Sequence, residues 1–279
     1  METITTKKLN DKVGVEFVGV TADQLRNDDS LAVAVLDALE ERGVVLFRKI
    51  DADDQSQVDF CRKLGPLNNF KDHPPYETEE VMEISFSPSN PTAAYLKSND
   101  FWHTDGLLDD HAAKTAVLSA RVVADKGGET EFASTYEAYD ALTDDEKERF
   151  ENVRVIHSFE AVQRHSYENP TAEQIEEWNA RRPGREHPLV WTHSTGRRSL
   201  VLGATASHIV GMDVEEGRAL LKELVDRATT PDRVYRHTWA VGDMVLWDNS
   251  GLLHRACEFD RKEPRRMHRS TITGSSVGQ

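Results

Sequence analysis

"YRHTWAVGDMVLWDNSGLLHRACEF", residues 235–259, decides the fold. It reads as a strand, a turn at Gly242-Asp243, a strand, and a polar loop leading into a further strand. Strands joined by turns rather than by crossover helices point to a mainly β fold. Upstream, "LVWTHSTGRRSLVLG" (189–203) reads as a β-hairpin, with its turn at Ser194-Thr195-Gly196. Downstream, the β-branched tail 265–276 supplies a candidate closing strand.

The first third differs. "SLAVAVLDALEERG" (30–43) places Leu31, Val35, Leu36 and Leu39 at helical spacing, with Ser30 as candidate N-cap and Gly43 as candidate C′ residue. Residues 56–65 read as a second helix ending at Gly65-Pro66. Strands are expected at 13–20, 44–50, 81–87, 115–124 and 153–159. Short helices are expected over 134–142 and 143–153; Thr143 and Glu146 form a capping box at the start of the latter. Residues 214–229 form an amphipathic helix. The polar, breaker-rich stretch 163–188 contains one helix, around 171–182, and reads as an insertion or lid. Regular βαβ alternation is missing, so a doubly wound sheet does not fit. The expectation is an α+β, mainly β fold over 1–279: a single catalytic domain with a jelly-roll core (a double-stranded β-helix) decorated by helices.

Composition narrows the function. Lys and Arg number 34 against 49 Asp and Glu, a net charge of −15. That balance opposes nucleic acid and anionic membranes as partners, because both require basic residues. No run approaches the ~18 apolar residues of a membrane span, and the N-terminus shows no signal-peptide core. Cys61 and Cys257 match no metal motif and read as reduced thiols of a cytoplasmic protein.

"NDFWHTDGLL" (99–108) sets His103 two residues before Asp105. On a strand both side chains would share a face. One imidazole and one carboxylate, with a second imidazole from elsewhere, make the facial triad of non-haem iron oxygenases. Among eleven histidines, His254 has the best context, after "GDMVLWDNSGLL"; His73, His193 and His208 are rivals.

"WHTD" (102–105), "GGET" (127–130), "GDMVLWDN…LLHRA" (242–256) and "RRMHR" (265–269) occur in this order, and with them the chain resembles the taurine dioxygenase/2,4-dichlorophenoxyacetate dioxygenase (TauD/TfdA) family from about residue 10 to 275. The resemblance implies Fe(II) held by His103, Asp105 and His254, with 2-oxoglutarate and O2 as cosubstrates. It implies Thr130 and Arg265 as partners of the distal carboxylate of 2-oxoglutarate, with Asn99 nearby. An arginine suits that carboxylate because it can grip it bidentately; its neighbour Arg266 would face the other way. On a strand Arg269 shares a face with Arg265, and it matches an arginine that grips the anionic group of taurine. His73 and Tyr76 match pocket-lining residues. Gly106 and Ser250 depart from the common pattern, and Gly106 joins the substrate-lining set.

The activity so implied is hydroxylation of an unactivated C–H bond in a small anionic molecule (carboxylate, sulfonate or sulfate ester). C–O or C–S cleavage follows where the carbon bears a leaving group, and succinate and CO2 are released. A homo-oligomer, dimer or tetramer, is implied as well. The alternatives are a zinc hydrolase, which would leave Thr130 and Arg265 without a role, and a non-catalytic binding protein on the same fold.

Overall fold

Val44, Val45, Leu46 and Phe47 are all buried, the mark of a strand covered on both faces. In the computed structural model, which describes residues 4–72, 79–90, 93–274 and 277, this strand lies near the middle of a seven-stranded sheet. The chain begins with β1 (Thr5–Lys8), β2 (Val15–Val18), α1 (Ala22–Asn27), α2 (Asp29–Arg42), β3 (Val44–Phe47) and α3 (Asp54–Leu64). It continues through β4 (Met82–Ser85), β5 (Ala113–Val122), β6 (Thr130–Ser134), α4 (Thr135–Asp140), α5 (Asp144–Phe150) and β7 (Arg154–His157). Then come α6 (Phe159–Arg164), α7 (Ala172–Arg181), β8 (Arg185–Pro188), β9 (Val190–Thr192), β10 (Arg198–Leu200) and β11 (Ala206–Ile209). The last elements are α8 (Val214–Ala228), β12 (Val234–His237), β13 (Met244–Asp248), β14 (Leu252–Ala256) and β15 (Arg266–Thr273).

The large sheet has the order β1-β2-β3-β13-β5-β15-β4. Its register sorts the side chains by face. Met244 pairs with Phe47 and Leu246 with Val45, and these four pack against α2 and α3 through Leu31, Val35 and Phe60. Val245 and Trp247 alternate to the other face and meet Phe132 of β6 and Leu252 of β14. Those two strands belong to the facing sheet β12-β6-β14. One apolar core therefore sits between two layers, antiparallel except for the parallel β2–β3 pair, with helices outside the larger one, the expected jelly-roll arrangement.

Local signals explain most boundaries. Gly43 ends α2 at φ 74°, a left-handed conformation that a side chain would strain. The N-cap of α2 is Asp28, not Ser30: its carboxylate accepts from the backbone N–H groups of Ser30 and Leu31. Thr143 and Glu146 form the expected capping box of α5, and β9 and β10 form the expected hairpin. Residues 163–188 hold α7 and also β8, which pairs with β7 along Val155–His187 and His157–Arg185.

Candidate metal centre and cosubstrate site

His103 does not lie on a regular strand. It makes a single bridge with His254: the His103 N–H donates to the His254 carbonyl at 3.0 Å, and the His254 N–H to the His103 carbonyl at 2.9 Å. The chain then turns at Asp105-Gly106. Gly106 has φ 79°, and a Cβ there would stand 2.4 Å from the backbone N of Ala113, so only glycine allows this return. Bridge and turn together, rather than a shared strand face, bring both side chains beside His254 in the middle of β14. Trp102 and Arg255, the outer neighbours of the two histidines, stack with the guanidinium 4.6 Å from the ring centre.

The histidine rings lie 4.1 Å apart. His254 Nε2 is 3.3 Å from Asp105 Oδ2, and His103 Nε2 is 3.7 Å from Asp105 Oδ1. One ligand atom from each residue falls within 4.8 Å of the others, and among the described residues no other group of His, Cys, Asp or Glu converges in this way. The rivals are engaged elsewhere: His193 bonds Ser199 and His208 bonds Ser207. His73 and Tyr76 lie outside the described residues.

The donor set suits a divalent cation. His103 Nδ1 sits 2.8 Å from the Phe101 carbonyl, which can only accept, so Nδ1 carries the proton and Nε2 keeps its lone pair. Burial, with His254 beside it, pushes the His103 imidazole down to about 4, so the ring is neutral at pH 7. Burial opposes ionisation of Asp105, yet the Arg269 guanidinium and His254 hold its carboxyl well below the usual range. Asp105 Oδ2 is buried and accepts no well-directed hydrogen bond, although Arg269 Nη2 lies 2.8 Å away. A buried carboxylate oxygen without such a bond is uncommon, and a metal would satisfy it. Asn249 also supports the loop: its Oδ1 accepts from the Trp247 indole at 3.1 Å and from the Asp105 N–H at 3.4 Å.

Register sets the next layer. Arg269 pairs with Leu118, which places its side chain on the inner face of the large sheet with Trp247. Thr130 pairs with Ala256 two positions beyond the His254–Phe132 pair, on the face His254 shares. The Thr130 hydroxyl accepts from the Trp239 indole at 3.0 Å. Arg265 precedes β15 instead of lying on it. It is buried while Arg266 is exposed, and it fits against Gly128, where a Cβ would come within 3.1 Å of its side chain. No carboxylate pairs with Arg265 among the described residues, and burial, with Arg261 nearby, lowers it to about 10. A buried guanidinium lacking an anion is a ready partner for one.

A cavity of about 770 Å³ opens above this centre. Asn99, His103, Asp105, Gly106 and Arg269 line it beside apolar Met82, Ile84 and Leu96. Thr130, His254 and Arg265 are not among its lining residues.

The family model described as taurine catabolism dioxygenase TauD, TfdA family matches residues 5–271. The chain belongs to this family. It is 34% identical to the alpha-ketoglutarate-dependent 2,4-dichlorophenoxyacetate dioxygenase of Burkholderia sp. (strain RASC), covering 92% of each chain. It is 34% identical to the (S)-phenoxypropionate/alpha-ketoglutarate-dioxygenase of Sphingobium herbicidovorans, covering 95% of this chain and 93% of that one. A crystal structure of AAD-2 in complex with Mn(II) and N-oxalylglycine superposes with a TM-score of 0.84 at 31% identity, covering 99% of this chain and all of the other. As a TauD/TfdA member, the protein is an oxidoreductase, a dioxygenase dependent on Fe(II) and 2-oxoglutarate. The hydrolase and binding-protein alternatives fall away.

Proposed function

We propose that this dioxygenase hydroxylates a small organic anion at a C–H bond presented to a metal held by His103, Asp105 and His254. The observation that carries the reading is the buried, under-bonded Asp105 Oδ2 between two imidazoles, at the wall of a cavity that also contains Arg269. When bound, iron and 2-oxoglutarate supply the oxidising power: dioxygen is reduced, the keto acid becomes succinate and CO2, and one oxygen atom reaches the substrate.

The chain's own groups do the positioning. Arg265, with the Thr130 hydroxyl, grips the distal carboxylate of 2-oxoglutarate, and Asn99 contributes a polar contact from the cavity wall. Two of Arg269's N–H groups face Asp105 and its Nε donates to Thr271 at 3.2 Å. Its remaining N–H capacity meets the substrate's anionic group, which fixes the C–H bond over the metal. Met82, Ile84 and Leu96 exclude water from an apolar substrate body. Gly106 shapes the wall beside Asp105. The 163–188 segment serves as a lid, supported by Arg181, Arg182 and Arg185 at the cavity. Carboxylates, sulfonates and sulfate esters fit this chemistry. The aryloxy acids named for the two relatives favour a carboxylate, and an ether carbon would collapse after hydroxylation with C–O cleavage. Homo-oligomeric assembly and a cytoplasmic location complete the reading.

A panel of aryloxyalkanoates, alkyl sulfates and sulfonates, scored by substrate-dependent succinate release, tests it. Stimulation by at least one anionic class, and none by the matching neutral amides or alcohols, is expected. Equal stimulation by neutral analogues would rule out the anionic class.

A further inference from the structure

The loop that carries Asp105 away from the bridge is held from outside by β8, at the end of the 163–188 segment. His187 and Arg185, two residues apart on β8, face the same side. His187 Nε2 lies 2.7 Å from the Leu107 carbonyl, and Arg185 Nε donates to the Leu108 carbonyl at 2.9 Å. A carbonyl only accepts, so His187 carries its proton on Nε2. The same segment grips the next two residues through charge: Arg182 donates to Asp109 at 2.9 Å, and Arg185 pairs with Asp110. Four consecutive residues, beginning two beyond Asp105, are thus tied to one short stretch. Within the loop, the Asp109 N–H closes a turn on the Gly106 carbonyl at 3.1 Å, and the buried Leu107 side chain packs on Trp191 and Val201. On the Asp105 side the backbone N–H makes only the 3.4 Å bond to Asn249, while the carboxylate itself is met by Arg269.

We propose that His187 and Arg185 are positioning residues for the metal carboxylate: by holding the carbonyls of 107 and 108 they set the direction in which Asp105 points. This rests on the reading of Asp105 as a ligand. It makes β8 part of the metal site's support, so the segment over the cavity and the iron-binding carboxylate move as one body. Partners that orient a metal ligand from behind typically change metal affinity 10–100-fold when removed.

Mn(II) binding, followed by the loss of the free-ion paramagnetic resonance signal, gives a readout independent of turnover. Gln reproduces the Nε2 donor of histidine and Leu does not. His187→Leu is expected to weaken Mn(II) binding about tenfold, His187→Gln to remain within about twofold of the parent, and Arg185→Met, at the more exposed position, to weaken it about threefold. Equal weakening in His187→Leu and His187→Gln would overturn the proposal, because the hydrogen bond would then not be the cause. Unchanged affinity in Arg185→Met and His187→Leu would overturn it too. If His187→Leu does not fold, the Gln and Met variants decide. Asp105→Ala is the control: Mn(II) binding unchanged there would refute the ligand reading itself, whereas loss there with no effect at 185 and 187 refutes the clamp alone.

Discussion

The backbones of His103 and His254 are joined by two reciprocal hydrogen bonds of 3.0 and 2.9 Å, although 151 positions separate them in the chain. Both imidazoles are thereby fixed at the backbone before any metal binds, and a disturbance at this bridge should reach both proposed ligands together. Gly203 stands against it with φ 114°, and a Cβ there would lie 2.9 Å from the His103 Cα. Gly203→Ala is expected to weaken Fe(II) binding and to destabilise the fold by about 1–3 kcal/mol, from overpacking and an unfavourable φ. Chemical denaturation and metal titration check both effects.

Arg265 and Thr130 should separate from the substrate pocket in kinetics. Arg265→Met removes a charge-assisted pair of about 1.5–3 kcal/mol, which raises the KM for 2-oxoglutarate roughly 10- to 100-fold. Thr130→Val removes a neutral hydrogen bond of about 0.5–1.5 kcal/mol and should raise it roughly two- to tenfold. The KM for the primary substrate should change much less in both. A larger effect on the primary substrate than on 2-oxoglutarate would reassign the pair.

The reverse pattern is expected at Arg269. Arg269→Lys keeps the charge but loses the planar fork that faces both oxygens of Asp105. The KM for the anionic substrate should rise at least tenfold, with that for 2-oxoglutarate moving less than threefold. Succinate release without product, measured against substrate consumption, should also increase, because the C–H bond is no longer held in place.

Asp248 gives a pH signature of its own. Burial, chiefly, lifts its carboxyl from 3.8 to about 6. The folded chain therefore keeps a proton between roughly pH 4 and 6 that the unfolded chain releases. This contribution to stability is fully present below pH 4 and is lost as the pH rises through 6, an effect on the order of 2–3 kcal/mol. Asp248→Asn removes the titration. Its melting temperature relative to the parent should therefore become more favourable between pH 4 and pH 7, and a difference independent of pH would refute the assignment.

The strands at Val44–Phe47 and Met244–Asp248 were legible in the sequence, because burial on both faces leaves a dense apolar run. The sequence also showed the His103-x-Asp105 spacing and the order of the motifs. It misplaced the α2 cap because Asp28 and Ser30 are both good caps and only the backbone trajectory chooses between them. It put His103 and Asp105 on a strand, whereas a single bridge and a glycine turn bring them together; a one-residue bridge has no periodicity to read. β8 was hidden for a related reason. "REHP" carries no apolar alternation, and its partners, the carbonyls of 107 and 108, are backbone groups that no residue type announces.

The most direct test of the account is anaerobic addition of Fe(II) and 2-oxoglutarate, followed by visible absorption. The parent protein should develop the weak charge-transfer band of a keto acid chelated to ferrous iron, and Asp105→Ala and His254→Ala should each fail to develop it while remaining folded. A band of undiminished strength in either variant would contradict the account, since the iron would then be held elsewhere.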